Sequence, residues 1–194
     1  ARCVLVAPYV AQSLSSEGLS ASYLAEPGTA SVPFAEGQGF RVLEGNLRDR
    51  VIDIARPEAR APEDDRAIHR EIYETLGLEG TVTKNAKAAR ALALVAEEPE
   101  RRIESIARAL RLSPSRLRHI VHDATGITLR SHRVWHRTLR AVELLLGGRS
   151  IAGAALAAGF SDHGHFTRSF VRFFGRTPSS IHGATTVLEG YAPR

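Results

Sequence analysis

The chain is 194 residues long and 43% hydrophobic, enough to build a core in one large domain or two small ones and too apolar for wholesale disorder. No apolar run approaches the roughly 18 residues that cross a membrane, and the single cysteine, Cys3, excludes an intramolecular disulfide and a cysteine metal cluster. Residues 1–84 hold 9 Lys/Arg against 13 Asp/Glu, a net of −4, whereas residues 85–194 hold 17 against 8, a net of +9, so only the second half suits a polyanion.

In chain order, residues 3–55 read as β-rich. Cys3 to Val6 is a short apolar run stopped by Pro8, and Ala21 to Leu24 is another, stopped by Pro27-Gly28. Phe40 to Leu43 is a third candidate strand before Glu44-Gly45-Asn46. Residues 57–65 form a polar, proline-bearing break. Asp65 is then a candidate N-cap for a helix through Ile68, Ile72, Tyr73 and Leu76, closed by Gly77.

From Asn85 the apolar period becomes helical. Ala88, Leu92 and Val95 share a face, and Glu97-Glu98-Pro99 ends that helix. Ile103, Ile106, Ala107 and Leu110 define the next. Ser113-Pro114 is a start signal, a serine cap followed by proline at the first helical position. The helix it opens turns Leu117, Ile120 and Val121 inward and ends at Gly126. Thr128 caps a long helix carrying Val134, Trp135, Leu139, Val142 and Leu146, closed by Gly147-Gly148. Ser150 caps a short one with Ile151, Ala154, Ala155 and Ala158, closed by Gly159. Ser161-Asp162 starts another with Phe166, Phe170 and Phe173, closed by Gly175, and Thr177-Pro178 opens a last short turn.

The basic half contains one unit twice. Ile103, Ala107, Leu112 and Ser113 match Ile151, Ala155, Phe160 and Ser161 at an offset of 48. After one inserted residue, Leu117, Val121, Gly126 and Thr128 match Phe166, Phe170, Gly175 and Thr177 at 49. Each unit is a short apolar helix, a tight break, a serine-capped second helix and a glycine stop, which is the layout of a helix-turn-helix. The bridge of about 19 residues spans roughly 28 Å, close to the ~34 Å of one B-DNA turn, so two recognition helices could enter successive major grooves.

The stretch GFSDHGHFTRSFVRFFGRTPS, from Gly159 to Ser179, resembles the signature of the AraC/XylS transcription regulators. Ile106-Ala107, Leu112-Ser113, Leu117 and Thr125-Gly126 fit that family's first unit. Leu139, Ala141 and Leu145, then Gly148, Ser150 and Ile151, fit its bridging helix. Val121 departs from the phenylalanine usual there, which suggests a smaller core, and His182 departs from a common arginine, which puts one phosphate contact in doubt. The resemblance covers about residues 85–183. It implies a mainly α fold of two helix-turn-helix subdomains joined by a long helix, with a β-rich, cupin-like segment before it. It implies double-stranded DNA as ligand, RNA polymerase and a small-molecule effector as further partners, an activator's role and a cytoplasmic, nucleoid-associated location. The division expected is a partial sensor or dimerisation segment at 1–60, a linker helix at 61–84, the DNA-binding domain at 85–183 and a tail at 184–194.

By resemblance, Ser115, Arg118 and His119 on the first recognition helix face bases, as do His163, Gly164, His165 and Arg168 on the second. Arg168 stands out, because arginine to guanine is the commonest specific pairing. Arg101, Arg102, Arg130, Arg149, Arg172 and Arg176 are candidates for phosphate contacts that set position rather than sequence. The amide ends of the helices after Ser150 and Thr177 could join them. Asp162, His163 and His165 invite a metal reading, but two imidazoles and a carboxylate inside a recognition helix make a poor zinc set. The imidazoles of His119, His122, His132 and His136 read as surface groups. No nucleophile and base, glycine-rich phosphate loop or paired carboxylates point to an enzyme, and no cofactor is expected. A DNA-binding architectural protein with little sequence preference remains the alternative.

In this family the segment before the DNA-binding half is often a small β-barrel that senses a ligand or makes a dimer. About 55 residues precede the proline-bearing break, too few for a closed eight-stranded barrel. The expectation is a barrel lacking its first strands, or a small complete sensor, with a homodimer through this segment. With no methionine in the chain, Ala1 is expected to follow a removed initiator or to lie within a longer protein.

Overall fold

The computed structural model describes residues 3–6, 30–31, 40–54, 71–72, 74–77, 79–80 and 85–181. Strand β1 (Cys3–Val6) pairs antiparallel with β3 (Phe40–Leu43), Cys3 opposite Leu43 and Val6 opposite Phe40. Strand β2 (Ala30–Ser31) pairs antiparallel with β4 (Glu79–Gly80). Helix α1 (Gly45–Ile54) follows β3 directly, so the end of the stretch 3–55, expected to be β-rich, is helical instead. Gly45 makes the junction at φ +56°, in the left-handed region that suits glycine. Residues 71–72 and 74–76 are helical, closed by Gly77 at φ +61° as the sequence predicts, and Ile72 packs with Ile54 and Leu76. The expected strand at Ala21 to Leu24, the cap at Asp65, and Ile68, Tyr73 and His182 lie outside the described residues.

The second half is helical throughout: α2 (Ala86–Glu97), α3 (Ile103–Ala109), α4 (Pro114–Thr125), α5 (Leu129–Leu146), α6 (Ile151–Ala157), α7 (His163–Phe174) and a 3-10 turn (Pro178–Ile181). Asn85, Ser113, Thr128 and Ser150 each accept a backbone N–H of the first turn they precede, which satisfies donors that a helix start leaves orphaned. One cap departs from the sequence reading. Asp162, not Ser161, caps α7, accepting the His165 backbone N–H at 2.7 Å. Ser161 instead donates its hydroxyl to Asp162 at 2.9 Å. This is where the one-residue insertion between the repeats is absorbed.

Helices α3 and α4 form one helix-turn-helix, and α6 and α7 the other. The repeat extends to individual hydrogen bonds. The Leu112 N–H donates to Ala107 O at 2.9 Å, and its counterpart Phe160 donates to Ala155 O at 3.0 Å. Gly126 and Gly175 close α4 and α7 at φ +70° and +69°, donating to His122 O and Val171 O. Arg111 and Gly159 take the same left-handed place in the two turns, at φ +54° and +83°.

Each unit has its own core. The first gathers Ala88, Ala91, Leu94, Val95, Ile106, Ala107, Leu117, Ile120, Val121 and Leu129. The second gathers Ala141, Val142, Leu145, Ala154, Ala155, Ala158, Phe160, Phe166, Phe170 and Phe174. On α7 the spacing 166, 170, 174 stacks one stripe of rings. Phe166 meets Phe170 edge-on at 5.7 Å, and Phe170 lies parallel to Phe174 at 4.2 Å.

The structure corrects three burial expectations. Phe174 takes the core place, while Phe173 is half-buried and meets Trp135 edge-on at 5.1 Å. Leu145, not Leu146, is the last core residue of α5, and Leu146 is 49% exposed. A continuous helix advances 100° per residue, so its last turn selects one leucine of the adjacent trio 144–146. His132 and His136 are buried, not surface groups. His132 Nε2 lies 3.2 Å from Thr125 Oγ1, which donates to Val121 O at 2.8 Å and accepts the Ile127 N–H at 3.2 Å. That exchange ties the end of α4 to α5.

Candidate nucleic-acid interface

The core claims one face of each second helix and leaves the other free. On α4, Leu117, Ile120 and Val121 are buried, while Ser115, Arg116, Arg118, His119 and His122 are exposed. His119 Nε2 faces Asp123 Oδ2 at 3.2 Å, one turn along the same helix. The fold brings Ser115, Arg118 and His119 into one cleft with Arg130 at the start of α5, about 390 Å³ in volume. Ile103, His122, Thr128 and Leu129 complete its lining. Three expected base readers and one expected phosphate contact thus meet across two helices. His122 and Thr128 belong to the same wall, which their positions in the sequence do not reveal.

On α7, Phe166 and Phe170 are buried, His163 and Arg168 are exposed, and Gly164 and His165 are half-buried. The His165 ring stands edge-on to Phe160 at 5.2 Å, and its Nδ1 lies 3.4 Å from Ser161 Oγ. It therefore rests against the turn as well as lining the face. A Cβ built on Gly164 would lie 3.1 Å from Asp162 Oδ1 and 3.4 Å from Arg168 Nη1. The guanidinium thus lies over the bare backbone of Gly164, next to the capping carboxylate. Asp162 is held below the usual carboxylate pKa. The His165 backbone N–H is the largest cause, with help from the Ser161 hydroxyl and the Arg168 charge. The cap is a second component of this face, missed in the sequence because a capping residue has an ordinary structural explanation.

The remaining basic groups divide by exposure. Arg102, Arg130, Arg149 and Arg172 are exposed, while Arg101 and Arg176 are half-buried. Arg101 Nε donates to Ser105 Oγ at 3.4 Å, so it is partly engaged within its own unit. Among the described residues, no group of three or more His, Cys, Asp or Glu is placed to hold a metal ion. No helix among them is long and apolar enough to cross a membrane.

Residues 106–182 match the family model of a helix-turn-helix domain. Among solved structures, the C-terminal domain of AraT, a response regulator from Geobacillus stearothermophilus, is similar at 23% identity and a TM-score of 0.46, over 55% of this chain and 91% of that one. A transcriptional regulator with an AraC-type DNA-binding domain, from Chromobacterium violaceum, is similar at 27% identity and 0.45, over 48% and 87%. Unsaturated fatty acid bound ToxT from Vibrio cholerae is similar at 16% identity and 0.47, over 88% and 65%. No curated protein sequence matches the chain.

Proposed function

We propose that the chain, whose residues 106–182 match a helix-turn-helix family model, is an AraC/XylS-type transcription regulator and that it binds a specific DNA sequence with both units at once. The observation that carries this reading is the duplicated geometry. Two helix-turn-helix units with matching turn hydrogen bonds and matching glycine stops sit at the two ends of one continuous helix. At 18 residues, α5 is about 27 Å long, within reach of the ~34 Å between major grooves on one face of B-DNA.

In this reading Ser115, Arg118 and His119 face bases in one groove, and His163, Gly164, His165 and Arg168 in the next. Arg102, Arg130, Arg149 and Arg172 meet phosphates, with Arg101 and Arg176 beside them, and set register without reading sequence. Different polar residues on the two faces favour sequence reading over shape reading, which needs no such variety. The segment 1–84, net acidic, is suited to association or effector response rather than to phosphate, and RNA polymerase is the partner that an activator would engage.

Selection from a randomised duplex library with the full chain tests this function. The expected result is two enriched blocks about one helical turn apart. Binding with no enrichment would favour the architectural alternative. For the N-terminal segment, sedimentation of the full chain beside residues 85–194 should show self-association in the full chain only. Equal sedimentation, with equal DNA affinity that candidate effectors leave unchanged, would remove that role.

A further inference from the structure

We infer that Glu100 is a positioning residue that clamps the two helix-turn-helix units at one relative setting. Glu100 lies in the loop between α2 and α3, hence in the first unit, yet its carboxylate meets both the bridging helix and the turn of the second unit. Arg137 on α5 donates Nη2–H to Glu100 Oε2 at 2.8 Å, and its Nε forms an ion pair with Oε1. The guanidinium thus faces both oxygens, with one charge-assisted hydrogen bond and one close ion-pair contact. One turn earlier on α5, Arg133 Nε donates to the Pro99 carbonyl at 2.8 Å, which seats the same loop. Burial and the neighbouring Arg137 charge lower the Arg133 pKa, while Glu100 and Glu104 raise it, so one carboxylate serves two guanidiniums.

The same carboxylate also lies against Gly159. A Cβ built on Gly159 would lie 2.9 Å from Oε2 and would overlap Oε1 and Cδ outright. The internal repeat isolates what is special here. Arg111 holds the equivalent place in the first unit, also at positive φ, and carries a full side chain. Backbone conformation alone therefore does not demand glycine in such a turn. In the second unit the space where a side chain would stand is filled by Glu100. The contact joins the units outside the helix that connects them, and it opposes their rocking about α5.

The clamp itself depends only on this geometry; its consequence for DNA rests on the function proposed above. Two recognition helices held at one setting accept one spacing. An inserted base pair shifts the second groove by about 3.4 Å and turns it by about 34°.

The test uses the full chain with Cys3→Ser, Arg108→Cys and Leu156→Cys, spin-labelled at these exposed positions on the first helices of the two units, away from α4 and α7. With Glu100 intact, the label-to-label distance distribution is expected to be narrow. Glu100→Ala should broaden it, with Glu100→Gln in between, while a circular dichroism melt stays cooperative. If Glu100→Ala disturbs folding, Arg137→Gln opens the same clamp from the other side. An unchanged distribution in a folded Glu100→Ala or Arg137→Gln chain overturns the inference. On the library-selected duplex, one base pair inserted between the blocks should weaken the intact chain about tenfold or more and the Glu100→Ala chain less. A broadened distribution with unaltered spacing preference keeps the clamp and instead counts against simultaneous docking of both units.

Discussion

Gly164→Ala should pull stability and DNA binding in opposite directions. Gly164 is the second residue of α7, where alanine is favoured over glycine by about 1 kcal/mol in helix propensity. The new methyl would sit 3.1 Å from Asp162 Oδ1, tighter than ordinary contact, so the cap must give by a few tenths of an ångström. That adjustment offsets part of the gain. The net effect should fall between zero and about 1 kcal/mol of stabilisation, or up to roughly 4–8 °C in Tm for a domain of this size. The methyl also stands 3.4 Å from Arg168 Nη1 and fills the surface over which that guanidinium lies. If Arg168 reads a base there, its displacement should cost about 1–3 kcal/mol of binding, roughly a 5- to 150-fold loss. Calorimetry and a gel-shift titration on the selected duplex give the two numbers. A variant that melts no lower and binds as tightly as the parent would refute the placement of this helical turn against DNA.

Arg168→Ala should lose about 1–3 kcal/mol on the best site and relax preference at one base pair, whereas Arg149→Ala should weaken all sequences alike and flatten the log–log salt slope by about 0.9; an equal loss for Arg168→Ala on specific and random DNA would contradict its role. Phe170→Ala removes the centre of the α7 ring stripe and should cost about 3–5 kcal/mol, with hydrogen-exchange protection lost first in α6 and α7 because the first unit has a separate core. The Asp162 carboxyl, held below its ordinary pKa of 3.8, contributes stability that is present above that value and lost as pH falls through the folded-state pKa. Asp162→Asn should therefore shallow the acid limb of an unfolding titration below about pH 4, and parallel limbs for parent and variant would count against it.

What the sequence made legible was mostly punctuation. Ser113-Pro114, Thr128 and Ser150 announce helix starts, and Gly126, Gly159 and Gly175 announce stops, because capping and positive φ are local demands met by few residue types. The duplication was legible for the same reason. Helix α1 was not, since Gly45-Asn46 has turn chemistry and nothing local says that a helix follows. Phe173 and Phe174, or Leu145 and Leu146, are equivalent in composition, and only the exact rotation of the helix decides which is buried. His132 and His136 read as polar until Thr125 supplies a partner for the first of them across the α4–α5 turn. Of the candidate interface, the exposed faces of α4 and α7 followed from subtracting the core. The cleft shared with Arg130, the seating of Arg168 beside Asp162, and the contact of Glu100 with Arg137 and Gly159 needed the tertiary fold, because they join residues far apart in the chain.

The measurement closest to the central claim is a hydroxyl-radical footprint of the full chain on its selected duplex, repeated with Arg118→Ala and Arg168→Ala. Two protected blocks on one face are expected, about 10 base pairs apart centre to centre, with Arg118→Ala weakening one block and Arg168→Ala the other. A single protected block, or two variants that thin the same block, would contradict an account in which both helix-turn-helix units read DNA together.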